Sequence, residues 1–291
     1  MTAIQASGSV VLASCRSPDQ VAAALARLRP QCTALGFQLV VARAGGWDDP
    51  PDLLAGAHVV PCPAESTIPE LRGAGLSVAT GEWVAMTEDN CVVAPGWLAA
   101  MADAMSGGGD VAGGSMGNAL PDRAIDSGAF FAEYGFFGPF ERDRGPAAAP
   151  LMTGANVAYR NTIQAAVARW ANEGMWEDVI HGRLAQQQAR FVLAPRARVD
   201  QNLHYGVGAF CRDRYEHGRD YARVASAGLG GGRRLVRVVG SGALPPVLAA
   251  RIWRSSGRVS PGAFVRALPF TLIFLAAWAV GEAIGYSLGA D

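Results

Sequence analysis

The reading turns on residues Glu70–Leu98, ELRGAGLSVATGEWVAMTEDNCVVAPGWL. Glu70–Ala79 has the apolar spacing of a helix, and Glu82–Thr87 (EWVAMT) follows as a short apolar strand. Glu88, Asp89 and Asn90 close that strand before VVAPGWL begins. An acidic cluster at a strand's carboxyl end is suited to a hard divalent ion held by oxygen ligands, which can bridge a diphosphate. The same three residues also read as a plain polar turn.

Toward the N-terminus the rhythm repeats. Ser9–Ser14 (SVVLAS) and Phe37–Ala42 (FQLVVA) are apolar strands, His58–Pro61 is a weaker one, and Asp19–Leu28 is a helix. This alternation predicts an α/β fold, a mainly parallel sheet sandwiched by helices. Ligands of such sheets bind beyond the carboxyl ends of the strands. That places Ser14–Arg16, Arg43–Gly46 and Glu88–Asn90 around one crevice.

Toward the C-terminus the pattern loosens. A helix at Trp97–Met105 leads to a Gly-rich stretch, Gly107–Gly117, and an aromatic run, Phe130–Phe140 (FFAEYGFFGPF). The run reads either as core or as the lining of an acceptor site. Helices are expected at Thr162–Asn172 and Glu177–Gln188, and a strand at Arg190–Ala194.

Two further segments carry candidate chemistry. Glu177 and Asp178 open a helix, where a carboxylate either takes a proton from an attacking hydroxyl or favours the helix dipole. Thr153-Gly154-Ala155-Asn156 is a small-residue loop that lets backbone approach a ligand. His181 lies three residues after Asp178, within reach of a pairing.

The formal net charge is zero, which gives no footprint for nucleic acid. The balance is uneven. Residues 1–204 carry 14 Arg against 20 acids, a net of −6, and residues 205–291 carry 11 Arg against 5 acids, a net of +6. Residues 223–266 hold eight Arg and no acid, and 267–281 (ALPFTLIFLAAWAVG) are uncharged and mostly apolar, with Pro269 trimming the start. A basic amphipathic stretch before an apolar helix predicts a tail that associates with a membrane surface. Five scattered cysteines without a C-x-x-C argue against a disulfide framework or structural zinc. The opening MTAIQASGSVVLAS lacks the basic region of a signal peptide, so the cytoplasmic face of the cell membrane is the expected location.

Taken in order, these segments resemble the family-2 glycosyltransferases, inverting enzymes with a Rossmann-like GT-A fold. Arg72, Gly75, Ala79, Gly81 and Glu82 match the family's first block, and Pro95, Gly96, Trp97 and Leu98 its tail. Gly154, Asn156 and Arg160 match the second block, and Glu177, Asp178, Arg183 and Leu184 the third. The arginine-rich Phe210–Arg223 and the closing GEAIGYSLG also have counterparts there.

The resemblance implies a hexosyltransferase-type enzyme. It would move a sugar from a nucleotide-diphosphate donor to a hydroxyl of a lipid-linked or cell-envelope glycan acceptor. Residues 1–222 would form the GT-A domain and 223–291 the membrane-associated helical region. Asp178 is the implied base and Glu177 its supporting acid. Arg72, Glu88, Asp89, Gly154, Ala155, Asn156 and His204 are implied in donor binding, and Asp89 and Asn90 in holding Mg2+ or Mn2+.

Two departures stand out. The family's DxD motif is here Glu88-Asp89-Asn90, and Arg43 in Ala42–Gly46 replaces the acid expected after the second strand. The altered motif also fits a non-catalytic GT-A-like membrane scaffold that has lost turnover. A pyrophosphorylase-type nucleotide enzyme would want glycines after the first strand, where the chain reads Ala13-Ser14-Cys15-Arg16-Ser17-Pro18.

Overall fold

The structure is a computed structural model describing residues 8–138 and 152–289. The described residues fall into two compact units, one formed by 8–117 and 152–202, the other by 118–138 and 203–289. Phe140, the last residue of the aromatic run, lies outside the described residues.

The first unit is built on an eight-stranded sheet. Its strands are β1 (Ser9–Ser14), β2 (Gln38–Ala44), β3 (His58–Cys62), β4 (Trp83–Glu88), β5 (Cys91–Val93), β6 (Val111–Asn118), β7 (Val157–Arg160) and β8 (Phe191–Gln201). The spatial order is β3-β2-β1-β4-β7-β6-β8-β5. The first four are parallel, as the alternating pattern predicts, and the register sets Ala13 beside Ala42 and Glu88. Beyond β4 the sheet becomes mixed: β7 runs antiparallel to both β4 and β6, and β5 antiparallel to β8. Apolar periodicity reports burial and not partner direction, so this half was not legible in advance.

Two strand readings change. The Gly-rich stretch becomes β6, because its glycines make room for neighbours: a Cβ on Gly113 would collide with Met152, and one on Gly114 with Asn156 and the Ala197 carbonyl. The strand expected at Arg190–Ala194 runs on to Gln201 through Pro195.

The helices of this unit are α1 (Pro18–Leu35), α2 (Ile68–Val78), α3 (Trp97–Ser106), α5 (Asn161–Asn172) and α6 (Glu177–Gln186); α4 (Ala124–Tyr134) belongs to the other unit. α2, α5 and α6 bury Leu76, Trp170, Ile180 and Leu184 against Val11, Val84, Met86 and Tyr159 of the sheet. α2 comes very close. A Cβ on Gly75 would strike Val11 of β1, and one on Gly73 would strike Asn172 of α5. Leu71 is buried among Ala13, Ala42 and Ala44 at the ends of the parallel strands, so the next residue, Arg72, starts beside the end of β4.

The second unit is helical: α4, α7 (Val207–Ala225), α8 (Gly231–Ser241), α9 (Leu244–Ile252), a π turn at Trp253–Gly257, and α10 (Pro261–Leu288). Phe130 and Phe131 of the aromatic run are buried in α4, and Phe131 packs edge-on against Phe264. α10 lies against α7, where Gly218, Gly281 and Gly285 remove the side chains that would hold the backbones apart. Pro269 does not shorten α10, which starts eight residues earlier at Pro261 and continues through it. With 28 residues and a mean hydropathy of 1.9 in its apolar window, α10 is long and apolar enough to cross a membrane.

Candidate active site

The entry of α2 is fixed by a reciprocal cap. The Thr67 hydroxyl accepts from the Glu70 amide, and the Glu70 carboxylate accepts from the Thr67 amide at 2.7 Å. With Leu71 held in the core, Arg72 reaches across the ends of the strands. Its Nε donates to Oε1 of Glu88, the last residue of β4, at 3.1 Å, and its Nη2 is paired with the same oxygen. Its Nη1 donates to Oε2 of Glu177, at the start of α6, at 2.6 Å. One guanidinium thus joins two acidic segments that are far apart in sequence.

The small-residue loop completes this arrangement. The Gly154 amide donates to Glu177 Oε1 at 3.1 Å, and a Cβ on Gly154 would collide with the Arg72 guanidinium. Gly154 is therefore required first by Arg72. The Trp176 ring covers the guanidinium with its centroid 5.6 Å from Cζ, a contact the sequence reading missed. An aromatic residue immediately before Glu177 was the available signal.

The neighbouring carboxylates of α6 sit in different electrostatic surroundings. Glu177 is half-buried, and the loss of water around its carboxyl favours its neutral form, but Arg72 and the Gly154 amide outweigh this and hold it down at about 2. Asp178 is exposed as a residue, yet crowding around its carboxyl and the charge of Glu177 push it up to about 6, against the pull of the Val179 and Asp178 amides. Trp176 provides no side-chain cap for α6. The unit therefore presents an accessible carboxylate with raised proton affinity beside one fixed in its ionised form.

Other predicted residues lie beneath this site. Asp89 is 2 % exposed, and its Oδ2 accepts from the Ser14 hydroxyl at 3.0 Å and the Arg16 amide at 2.7 Å. Burial raises its proton affinity, only partly opposed by those two donors. Asn156 is fully buried: Trp97 Nε1 donates to its Oδ1 at 2.8 Å, and its Nδ2 donates to the carbonyls of Ser115 and Ala197, each at 2.8 Å. Ala155 is also fully buried, with its amide on Thr153 Oγ1 at 3.3 Å. Asn90 is 5 % exposed. Asn156 and Ala155 thus hold the loop together from below instead of lining its surface.

Arg43 is neither solvated nor free for a phosphate. It makes a bidentate pair with Asp49 at 2.7 and 2.9 Å and donates to Ser14 Oγ and the Arg16 carbonyl. Burial pushes the Cys15 thiol up to about 12, so it is not a nucleophile at neutral pH. His181 does not pair with Asp178. It is buried with Nε2 2.8 Å from the Tyr159 hydroxyl, and burial lowers its proton affinity to about 4. His204 lies in the second unit, where its Nδ1 is 2.7 Å from Oδ2 of the buried Asp126. The Tyr205 amide binds the other oxygen of Asp126 at 2.9 Å.

The donor set does not fit a protein-built metal cage. Glu88 is held by Arg72 and Asp89 by Ser14 and Arg16, and no group of three His, Cys, Asp or Glu suited to a metal occurs among the described residues.

No protein-family model and no curated protein matches the chain. Among solved structures it is similar to a mannosyltransferase from Pyrobaculum calidifontis, PcManGT, in complex with GDP-Man and Mn2+. The TM-score is 0.56 at 15 % identity, over 94 % of this chain and 86 % of that one. Residues 1–349 of S. aureus TarS align with a TM-score of 0.45 at 15 % identity, over 94 % and 89 % of the two chains. The TarS complex with UDP-GlcNAc aligns with a TM-score of 0.45 at 14 % identity, over 91 % and 90 %. The mannosyltransferase comparison establishes the fold: the chain has the α/β GT-A architecture that its ordered segments imply.

Proposed function

We propose that the chain is a membrane-associated, inverting glycosyltransferase that moves a sugar from a nucleotide-diphosphate donor to a hydroxyl acceptor. The observation carrying this reading is the Arg72 bridge between Glu88 and Glu177, which joins the strand-end and helix-start acids and leaves Asp178 accessible beside them. Asp178 takes the proton of the acceptor hydroxyl, whose oxygen attacks the anomeric carbon. The bond from that carbon to the diphosphate breaks, and the nucleoside diphosphate leaves with the electron pair. Glu177, fixed in its ionised form by Arg72 and Gly154, orients the start of α6 and raises the proton affinity of Asp178. Arg72, Glu88, Asp89, Gly154, Ala155 and Asn156 support the donor floor from beneath.

The helices of residues 223–291 would hold the enzyme at the cytoplasmic face of a membrane, which favours a lipid-linked or cell-envelope glycan acceptor by proximity. The mannosyltransferase similarity makes GDP-mannose the first donor to try. The test is a panel of nucleotide sugars, assayed for donor hydrolysis and transfer with the wild type and Asp178→Asn. Turnover that disappears in the variant supports the assignment. A second reading, a scaffold without turnover, is favoured by the internal commitment of Glu88 and Asp89. It prevails if no donor shifts the melting temperature of the wild type, with or without Mn2+.

A further inference from the structure

We propose that the second unit binds an anionic lipid surface through α8, with Leu235, Val236 and Val239 entering the acyl boundary and Arg233 and Arg237 meeting lipid phosphates. This deepens the membrane association proposed above and does not depend on sugar transfer. α8 reads GGRRLVRVVGS. On a helix, residues four apart share a face, which sets Arg233 with Arg237 on one side and Leu235 with Val239 on another, flanked by Val236. A soluble protein would turn that apolar side inward. Here Leu235 is 64 % exposed, Val236 71 % and Val239 72 %, and Ser241 is the helix's buried residue.

The surroundings extend the pattern. Val247, Arg251, Arg254 and Arg258 follow at three- and four-residue spacings and are exposed. Along α10, Val265, Ile273, Val280 and Leu288 are exposed apolar positions as well. Residues 223–266 contain eight arginines and no acid, and all but Arg234 are exposed. An apolar stripe edged by arginines matches a layer of acyl chains under anionic head groups. It does not match a second copy of this chain, because a two-fold contact would set these arginines against each other without a countercharge.

The experiment uses the full chain with vesicles of phosphatidylcholine alone or mixed with phosphatidylglycerol, read by co-sedimentation. Stronger binding to the mixed vesicles that falls with added salt is expected. The pair Arg233→Gln and Arg237→Gln should lower partitioning by about thirtyfold. Leu235→Asp with Val239→Asp should abolish the preference, and because the four positions are exposed the melting temperature in solution should not move. Equal binding to both vesicle types, or α8 variants that bind like wild type, overturns the role of α8 while leaving a membrane anchor in α10 intact. Binding to neither overturns membrane association altogether and leaves the sugar-transfer reading untouched. A concentration-dependent dimer that Leu235→Asp with Val239→Asp dissolves assigns the face to a second copy and overturns the lipid assignment.

Discussion

Asp178 and Glu177 are adjacent in sequence but opposite in proton affinity, and both consequences are measurable. As a base, Asp178 must be ionised, so the acidic limb of the rate profile should have its midpoint near 6, with activity falling below it. Asp178→Asn should lower turnover by about 10²- to 10⁴-fold. The same shift bears on stability. A carboxyl raised from 3.8 to about 6 on folding opposes folding where it is ionised, an effect complete above about pH 6 and absent below about pH 4. Asp178→Asn should therefore melt higher than wild type at pH 7 to 8 and no higher at pH 3.5, a trade of stability for function. Glu177 has the reverse sign. Lowered from 4.5 to about 2, it stabilises the fold above its unfolded value, and that contribution is lost as pH falls from about 4.5 toward 2. Glu177→Gln should flatten this acidic stretch of the stability curve. A midpoint that stays put in Asp178→Asn at every pH would contradict the assigned environments.

At the scale of elements, two close approaches hold the architecture. Gly154→Ala would drive a methyl into the Arg72 guanidinium and leave the buried Glu88 carboxylate without its partner. The expected cost is about 3–5 kcal/mol, read from denaturant midpoints, the range found when one member of a buried ion pair is removed. Gly154→Ala should also weaken donor binding, because the loop and the start of α6 lose their shared anchor. In the second unit, Gly281 and Gly285 of α10 face the α7 backbone at Tyr215 and Arg219. Gly281→Leu forces those helices apart, and overpacking of this kind costs about 1–3 kcal/mol. The expected result is a lower melting temperature with unchanged proton affinity of Asp178, which separates a packing defect from a catalytic one.

Among the described residues, several carboxylates are committed to protein partners. Asp49 serves Arg43, Glu88 and Glu177 serve Arg72, Asp89 serves Ser14 and Arg16, and Asp126 serves His204 and Tyr205. Donor turnover is therefore expected to persist in EDTA. Loss on chelation with recovery in Mn2+ would mean that Glu88 or Asp89 leaves its partner when donor binds, and Arg72→Lys, which loses the two-sided fork, should then lower the Mn2+ concentration required.

Local chemistry was legible in the sequence wherever it depends on neighbours along the chain. Apolar runs marked β1, β2 and β4, and apolar spacing from Glu70 onward marked the body of α2, whose start at Ile68, set by the Thr67–Glu70 cap, lies two residues earlier. The ordered blocks around Arg72, Trp97, Asn156 and Asp178 named residues that do meet, since Trp97 bonds Asn156 and Arg72 bonds Glu177. What the tertiary structure alone decided was the direction in which each polar group is used. Arg72 and Asn156 turn inward, His181 finds Tyr159 instead of Asp178, and the glycines of β6 become a strand because Met152 and Asn156 fill their empty side. The reason is physical: a side chain's type limits the bonds it can make, but burial and charge from distant segments determine which partner satisfies it.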